Sequence, residues 1–66
     1  MDPNSVYASF KQMGEDPSFK NRKKVYEMNY GDEEKYIGTA AQNTRMNNDL
    51  KQGHLYFNHY GEKMFI

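Results

Sequence analysis

The chain predicts a mainly α fold, with three short helices at about 3–13, 17–30 and 39–52 and a C-terminal β-hairpin over about 54–66. Three observations carry that prediction. Asp2-Pro3 and Asp16-Pro17 both read as an N-cap followed by proline at the first helical position. Thr39-Ala40-Ala41-Gln42 matches the capping box, a strong helix start. After Gly53 the hydrophobic period changes from helical to alternating.

The first helix places Val6, Phe10 and Met13 on one stripe, with Tyr7 on its flank. Gly14 and Gly31 then stand where a left-handed residue ends each of the first two helices. The second helix has two apolar faces: Phe19, Tyr26 and Tyr30 form one, and Val25 and Met28 project away from it. Such a helix is either sandwiched in the core or offers one face to a partner. Lys20, Lys23 and Lys24 share a side, where Glu27 stands one turn beyond Lys23 for an ion pair. With Arg22 they form a short basic cluster that reads as a solvated face rather than a phosphate site.

Asp32 suits the cap of a short turn over Glu33–Ile37, stopped by Gly38. The third helix then carries Ala40, Asn43, Met46, Asn47 and Leu50 on one arc, with Gly53 as its left-handed terminator. Two asparagines thus share the buried side with the best hydrophobes of the helix. Beyond it, Leu55 and Phe57 alternate with Tyr56 and Asn58, and Met64-Phe65-Ile66 follows a break at Gly61. A loop of two residues over 60–61, or of four over 59–62, which the poor turn chemistry of Tyr60-Gly61 favours, sets Phe57 against Met64 and Leu55 against Ile66, all facing the core, with Tyr56 and Phe65 on the outer side.

The 66 residues make one small domain, residues 1–66, near the lower limit for a lone hydrophobic core. With no cysteine, packing alone must stabilise it. Two Val, two Ile and two Leu are few, and six Tyr, four Phe and five Met make up the deficit. A buried Tyr needs a partner for its hydroxyl, so several of the six are expected at the surface as a binding face. Nine basic and nine acidic residues cancel, which argues against strong non-specific nucleic-acid binding. There is no signal-peptide pattern and no apolar run long enough for a membrane span. If the protein comes from a phage, it is expected to stay in the cytoplasm until lysis.

Catalysis and cofactors find no support in the motifs. His54 and His59 are five apart on an alternating strand and point to opposite faces, so they do not share a metal. No zinc-protease, nucleophile-elbow or phosphate-loop pattern occurs. Glu33 and Glu34 read as structural carboxylates. The expectation is a binding protein with no enzymatic activity and no cofactor.

From about Asp16 to Leu55, the stretches "DPSFKNRKKVYEMN", "YIGTAAQNTRM" and "LKQGHL" resemble a short helical module found in the C-terminal regions of bacterial and phage peptidoglycan hydrolases. The match is most specific over residues 38–44. The chain departs from that pattern at Asn47-Asn48-Asp49, where a Leu-rich run is expected. The resemblance implies a non-catalytic module targeting the cell wall, free-standing or cut from an endolysin-like hydrolase, and it assigns no binding residues.

On residue chemistry, the first expectation is glycan binding, with peptidoglycan as the partner. Sugar faces stack on exposed rings, and sugar hydroxyls pair with amides that donate and accept. Tyr36, Asn43, Asn47 and Tyr56 are the candidate ligand-binding residues, lining a groove between the third helix and the hairpin. Against this stands a purely internal use of Asn43 and Asn47, bonding Tyr hydroxyls within the bundle. A second expectation is a winged-helix DNA binder that reads bases with Gln42, Asn43, Arg45 and Asn47 and needs Arg45, Lys51 and Lys63 on one face. A third is a small phage-type inhibitor docking on a host protein through an exposed apolar patch.

Overall fold

A computed structural model describes residues 5–57. Over that span the chain forms three helices: α1 (Val6–Gln12), α2 (Phe19–Tyr30) and α3 (Ala40–Lys51). An extended segment, 54–57, follows α3. The remainder of the expected hairpin, Asn58 to Ile66, lies outside the described residues, as do the expected placements of Met64 and Ile66.

Both Asp-Pro starts are superseded by a serine a little further on. Ser5, in extended conformation, accepts a hydrogen bond from Ala8 N at 3.2 Å, so α1 starts at Val6 rather than Pro3. Ser18 likewise accepts from Asn21 N at 3.3 Å, and α2 starts at Phe19 rather than Pro17. Asp16 instead accepts from Ser18 N at 3.0 Å, a local turn that leads into the cap. Where two residues able to cap stand close together, the one whose oxygen meets the N3 amide defines the first turn.

Gly14 and Gly53 do take positive φ, at 82° and 73°. Gly31 does not: with φ −62° it continues the right-handed path, and a β-carbon there would press on the Glu27 carbonyl. The chain then closes a turn in which Glu33 N and Glu34 N both donate to Tyr30 O, at 2.9 and 3.1 Å. This replaces the helical turn expected over Glu33–Ile37. From Glu34 the backbone runs without helix to α3, where the Tyr30 carbonyl, the Glu27 carboxylate and the Gln42 side chain take up the amides of Glu34, Tyr36 and Ile37 to Thr39.

One core joins the elements. Val6 and Phe10 of α1, Val25, Tyr26 and Tyr30 of α2, Tyr36 of the connection, Met46 and Leu50 of α3, and Leu55 and Phe57 form a single buried cluster, with Met13 packed at its edge. Helices α1 and α3 pack directly on each other. The Phe10 and Phe57 rings meet at 5.3 Å, which closes the extended segment over the helices. Leu55 and Phe57 are fully buried while Tyr56 is 40% exposed, the alternation the sequence predicts. Helix α2 is not sandwiched: Met28 and Phe19 face solvent, and Val25 joins Tyr26 and Tyr30 inside.

Candidate functional site

The polar side chains of α3 divide into two sets about half a turn apart. The first set faces α2 and the connection. Thr39 Oγ1 accepts from Gln42 N at 3.1 Å and Gln42 Oε1 returns the contact to Thr39 N at 3.4 Å, completing the expected capping box. Gln42 does more than cap. Its Oε1 also accepts from Ile37 N at 2.9 Å and Gly38 N at 3.0 Å, and its Nε2 donates to Lys35 O at 2.8 Å. The buried amide therefore ties down Lys35, Ile37, Gly38 and Thr39 of the incoming connection.

Arg45 and Asp49 continue that set. Arg45 reaches Glu33 at 2.7 Å and Glu34 at 3.9 Å, and its guanidinium lies 3.9 Å from the centre of the Tyr30 ring. The Tyr26 hydroxyl donates to Glu34, and that of Tyr30 to Asp49. Burial, and then the carboxylate beside each hydroxyl, push both phenols above the ordinary tyrosine pKa. Glu33 and Glu34 are thus taken up in structural pairs, as is Glu27, which binds Lys23 at 2.9 Å. The Lys23 hydrogen bond, and then the Tyr36 backbone amide, hold the Glu27 carboxyl below its usual value.

The second set borders an open cleft of about 390 Å³ between α1 and α3, within the ~300–1,000 Å³ usual for small-ligand sites. Helix α3 contributes Ala40, Asn43, Thr44, Asn47, Asn48 and Lys51. The start of α1 contributes Ser5, Val6 and Tyr7, and α2 reaches in with Arg22. No acidic side chain lines the cleft among the described residues. Arg22 Nε is buried and has no hydrogen-bond partner among those residues.

The four sequence-predicted site residues are divided by this arrangement. Asn43 and Asn47 line the cleft. Tyr36 and Tyr56 do not, and the groove expected against the hairpin involves residues outside those described. The Tyr36 ring is buried, 5.3 Å from Phe19 and 5.1 Å from Tyr26, and its hydroxyl donates to Asn43 Oδ1. Burial raises the Tyr36 pKa, opposed by the nearby Arg22 charge and the Asn43 bond. Asn43 thus has an internal role and lines the cleft at once. Tyr56 presents an exposed ring elsewhere, and its backbone is held by Asn29, whose Oδ1 accepts from Tyr56 N and whose Nδ2 donates to Tyr56 O, both at 2.8 Å.

Sequence reasoning missed Arg22, Tyr7 and Asn29. For Arg22 a signal existed: it stands three and four residues before Val25 and Tyr26, on the inward side of α2, and not with Lys20, Lys23 and Lys24. Asn29 also joins that side, three residues beyond Tyr26. Tyr7 becomes a cleft residue only through the docking of α1 on α3, which no local pattern encodes.

Among the described residues no helix is long and apolar enough to cross a membrane, and no group of three His, Cys, Asp or Glu could hold a metal ion. Compared with known proteins, the chain matches no family model, no curated protein and no solved structure.

Proposed function

We propose that the protein is a non-catalytic binding module for bacterial cell-wall glycan, peptidoglycan in the first instance, and that the cleft between α1 and α3 is its binding site. The observation that carries this reading is the lining itself. Asn43, Asn47 and Asn48 bring amides, Ser5 and Thr44 hydroxyls, and Tyr7 a half-exposed ring to one open cleft. Amides and hydroxyls that both donate and accept suit sugar hydroxyls, and a tyrosine ring suits a sugar face. Among the described residues the lining offers no carboxylate pair of the kind that cleaves glycosidic bonds, which favours binding without hydrolysis. The resemblance over residues 16–55 to modules of peptidoglycan hydrolases points to the same ligand.

Co-sedimentation with purified peptidoglycan from several bacteria tests the reading. The parent and Tyr56→Ala are expected in the pellet, with Tyr7→Ala and Asn48→Ala left in the supernatant. If the parent sediments with none of the walls, the glycan reading fails.

The DNA-binding reading is weakened by the same geometry: Gln42 and Arg45, two of its base-reading residues, are engaged by the protein itself. One observation favours protein docking as a second reading. Ile37 is 71% exposed and Phe19 48%, and the Phe19 ring lies over Gly38, the residue after Ile37, so two large apolar side chains reach solvent in one neighbourhood. Phe19→Ser with Ile37→Ser should leave wall binding intact on the lead reading and abolish capture of a host protein on this one.

A further inference from the structure

The two arginines described stand in opposite environments. Arg45 is surrounded by Glu33, Glu34 and the Tyr30 ring. Arg22 makes no ion pair with any described carboxylate, and its guanidinium lies 5.9 Å from the Phe19 ring centre, a weak contact at the edge of the useful range. Its Nε is removed from water without a protein acceptor among the described residues, at the border of a cleft to which no described residue brings an anion. Lys51 adds a second positive charge to the same lining, likewise without a carboxylate partner among the described residues.

We infer that the cleft recognises an acidic saccharide, whose oxyanion is held by the Arg22 guanidinium while its hydroxyls meet the asparagines of α3. This rests on the glycan reading above and adds to it the charge of the ligand. The two terminal nitrogens of a guanidinium form a planar pair of donors that fits two oxygens of one anion, a geometry lysine does not reproduce, and in Arg22 they, unlike the enclosed Nε, are open to the cleft. Lys51, exposed at the rim, contributes attraction rather than geometry. Carboxylate and phosphate share the required chemistry, and both occur on acidic sugars.

Amide chemical-shift titrations of the full chain separate the possibilities. The probes are N-acetylmuramic acid, N-acetylglucosamine 6-phosphate, neutral N-acetylglucosamine and inorganic phosphate. At least one acidic sugar is expected to bind about tenfold more tightly than the neutral sugar, roughly the 1.4 kcal/mol a charge-assisted bond supplies, with shifts at Asn43, Asn47 and Asn48. Whichever acidic sugar gains identifies the anion as carboxylate or phosphate. Arg22→Gln is expected to erase the preference while retaining the affinity for the neutral sugar, and Arg22→Lys to restore only part of it. Equal binding of acidic and neutral sugars overturns the inference and leaves the glycan reading standing. Inorganic phosphate binding as tightly as the phosphosugar overturns both, as does the absence of shifts with any probe. If the Arg22 variants do not fold, the four titrations of the parent still decide.

Discussion

On one side of α3, Gln42, Arg45 and Asp49 are each engaged by hydrogen bonds or ion pairs to the rest of the protein. On the opposite side, Thr44, Asn48 and Lys51 border an open cleft, and their side chains make no hydrogen bond or ion pair among the described residues. Residue types alike in polarity do different work within a single twelve-residue helix. A polar side chain turned toward α2 and the connection closes the fold, because every loop amide there needs an acceptor. One turned toward the cleft is left for water or a ligand. Asn43 stands on the boundary, bonded to Tyr36 and lining the cleft.

The largest effect expected on the sealed side comes from alkali. Tyr26, Tyr30 and Tyr36 all hold their protons more tightly folded than unfolded, burial being the first cause in each. The unfolded chain titrates near 10, so their contribution is complete below that value and is lost as pH rises through the higher folded-state values. Thermal unfolding midpoints should fall steeply above about pH 10. A flat profile would show that the phenols are not sealed in.

Next comes Gln42→Ala, which strips the 35–39 connection of its acceptor and donor. Its expected cost is about 3 kcal/mol in urea unfolding, the upper end for buried polar groups left unsatisfied. A cost as small as that of an ordinary surface change would break the contrast between the two sides.

Asn43→Ala should cost about 2 kcal/mol, because the buried Tyr36 hydroxyl loses its acceptor. Adding Tyr36→Phe should recover part of that loss, and a double-mutant cycle measures the coupling. Strict additivity would remove Asn43 from the sealed set and leave it wholly to the cleft. Thr39→Ala, which removes half of the capping box, should cost about 1 kcal/mol.

The smallest stability effect belongs to the open side. Asn48→Ala should change stability by less than about 0.5 kcal/mol while lowering retention on peptidoglycan. Lost stability with unchanged retention would reverse the assignment of the two sides.

Much of this architecture was legible because its signals are local. The Thr39 cap, the Gly53 terminator, the Lys23–Glu27 pair and the inward Leu55 and Phe57 around an outward Tyr56 follow from spacing alone. The starts of α1 and α2 did not, since Asp2 competes with Ser5 and Asp16 with Ser18, and spacing does not choose between caps so close together. The candidate site was legible by half. Asn43 and Asn47 were identified as polar residues on an inward arc, but their neighbours were not, because Tyr36 and Tyr7 look alike in sequence.

What the chain determines by itself is therefore its three helices, their main stops and the residues that turn inward, all set by contacts within a few positions. Tertiary structure alone decided that Tyr36 is sealed against Phe19 and Tyr26, that Asn29 grips the Tyr56 backbone across 27 residues, and that Arg22 borders a cleft to which no described residue brings an acid. The physical reason is that hydrogen-bond satisfaction and burial depend on which surface of one helix meets which surface of another. α1 docking on α3 sets a row of amides along an open cleft.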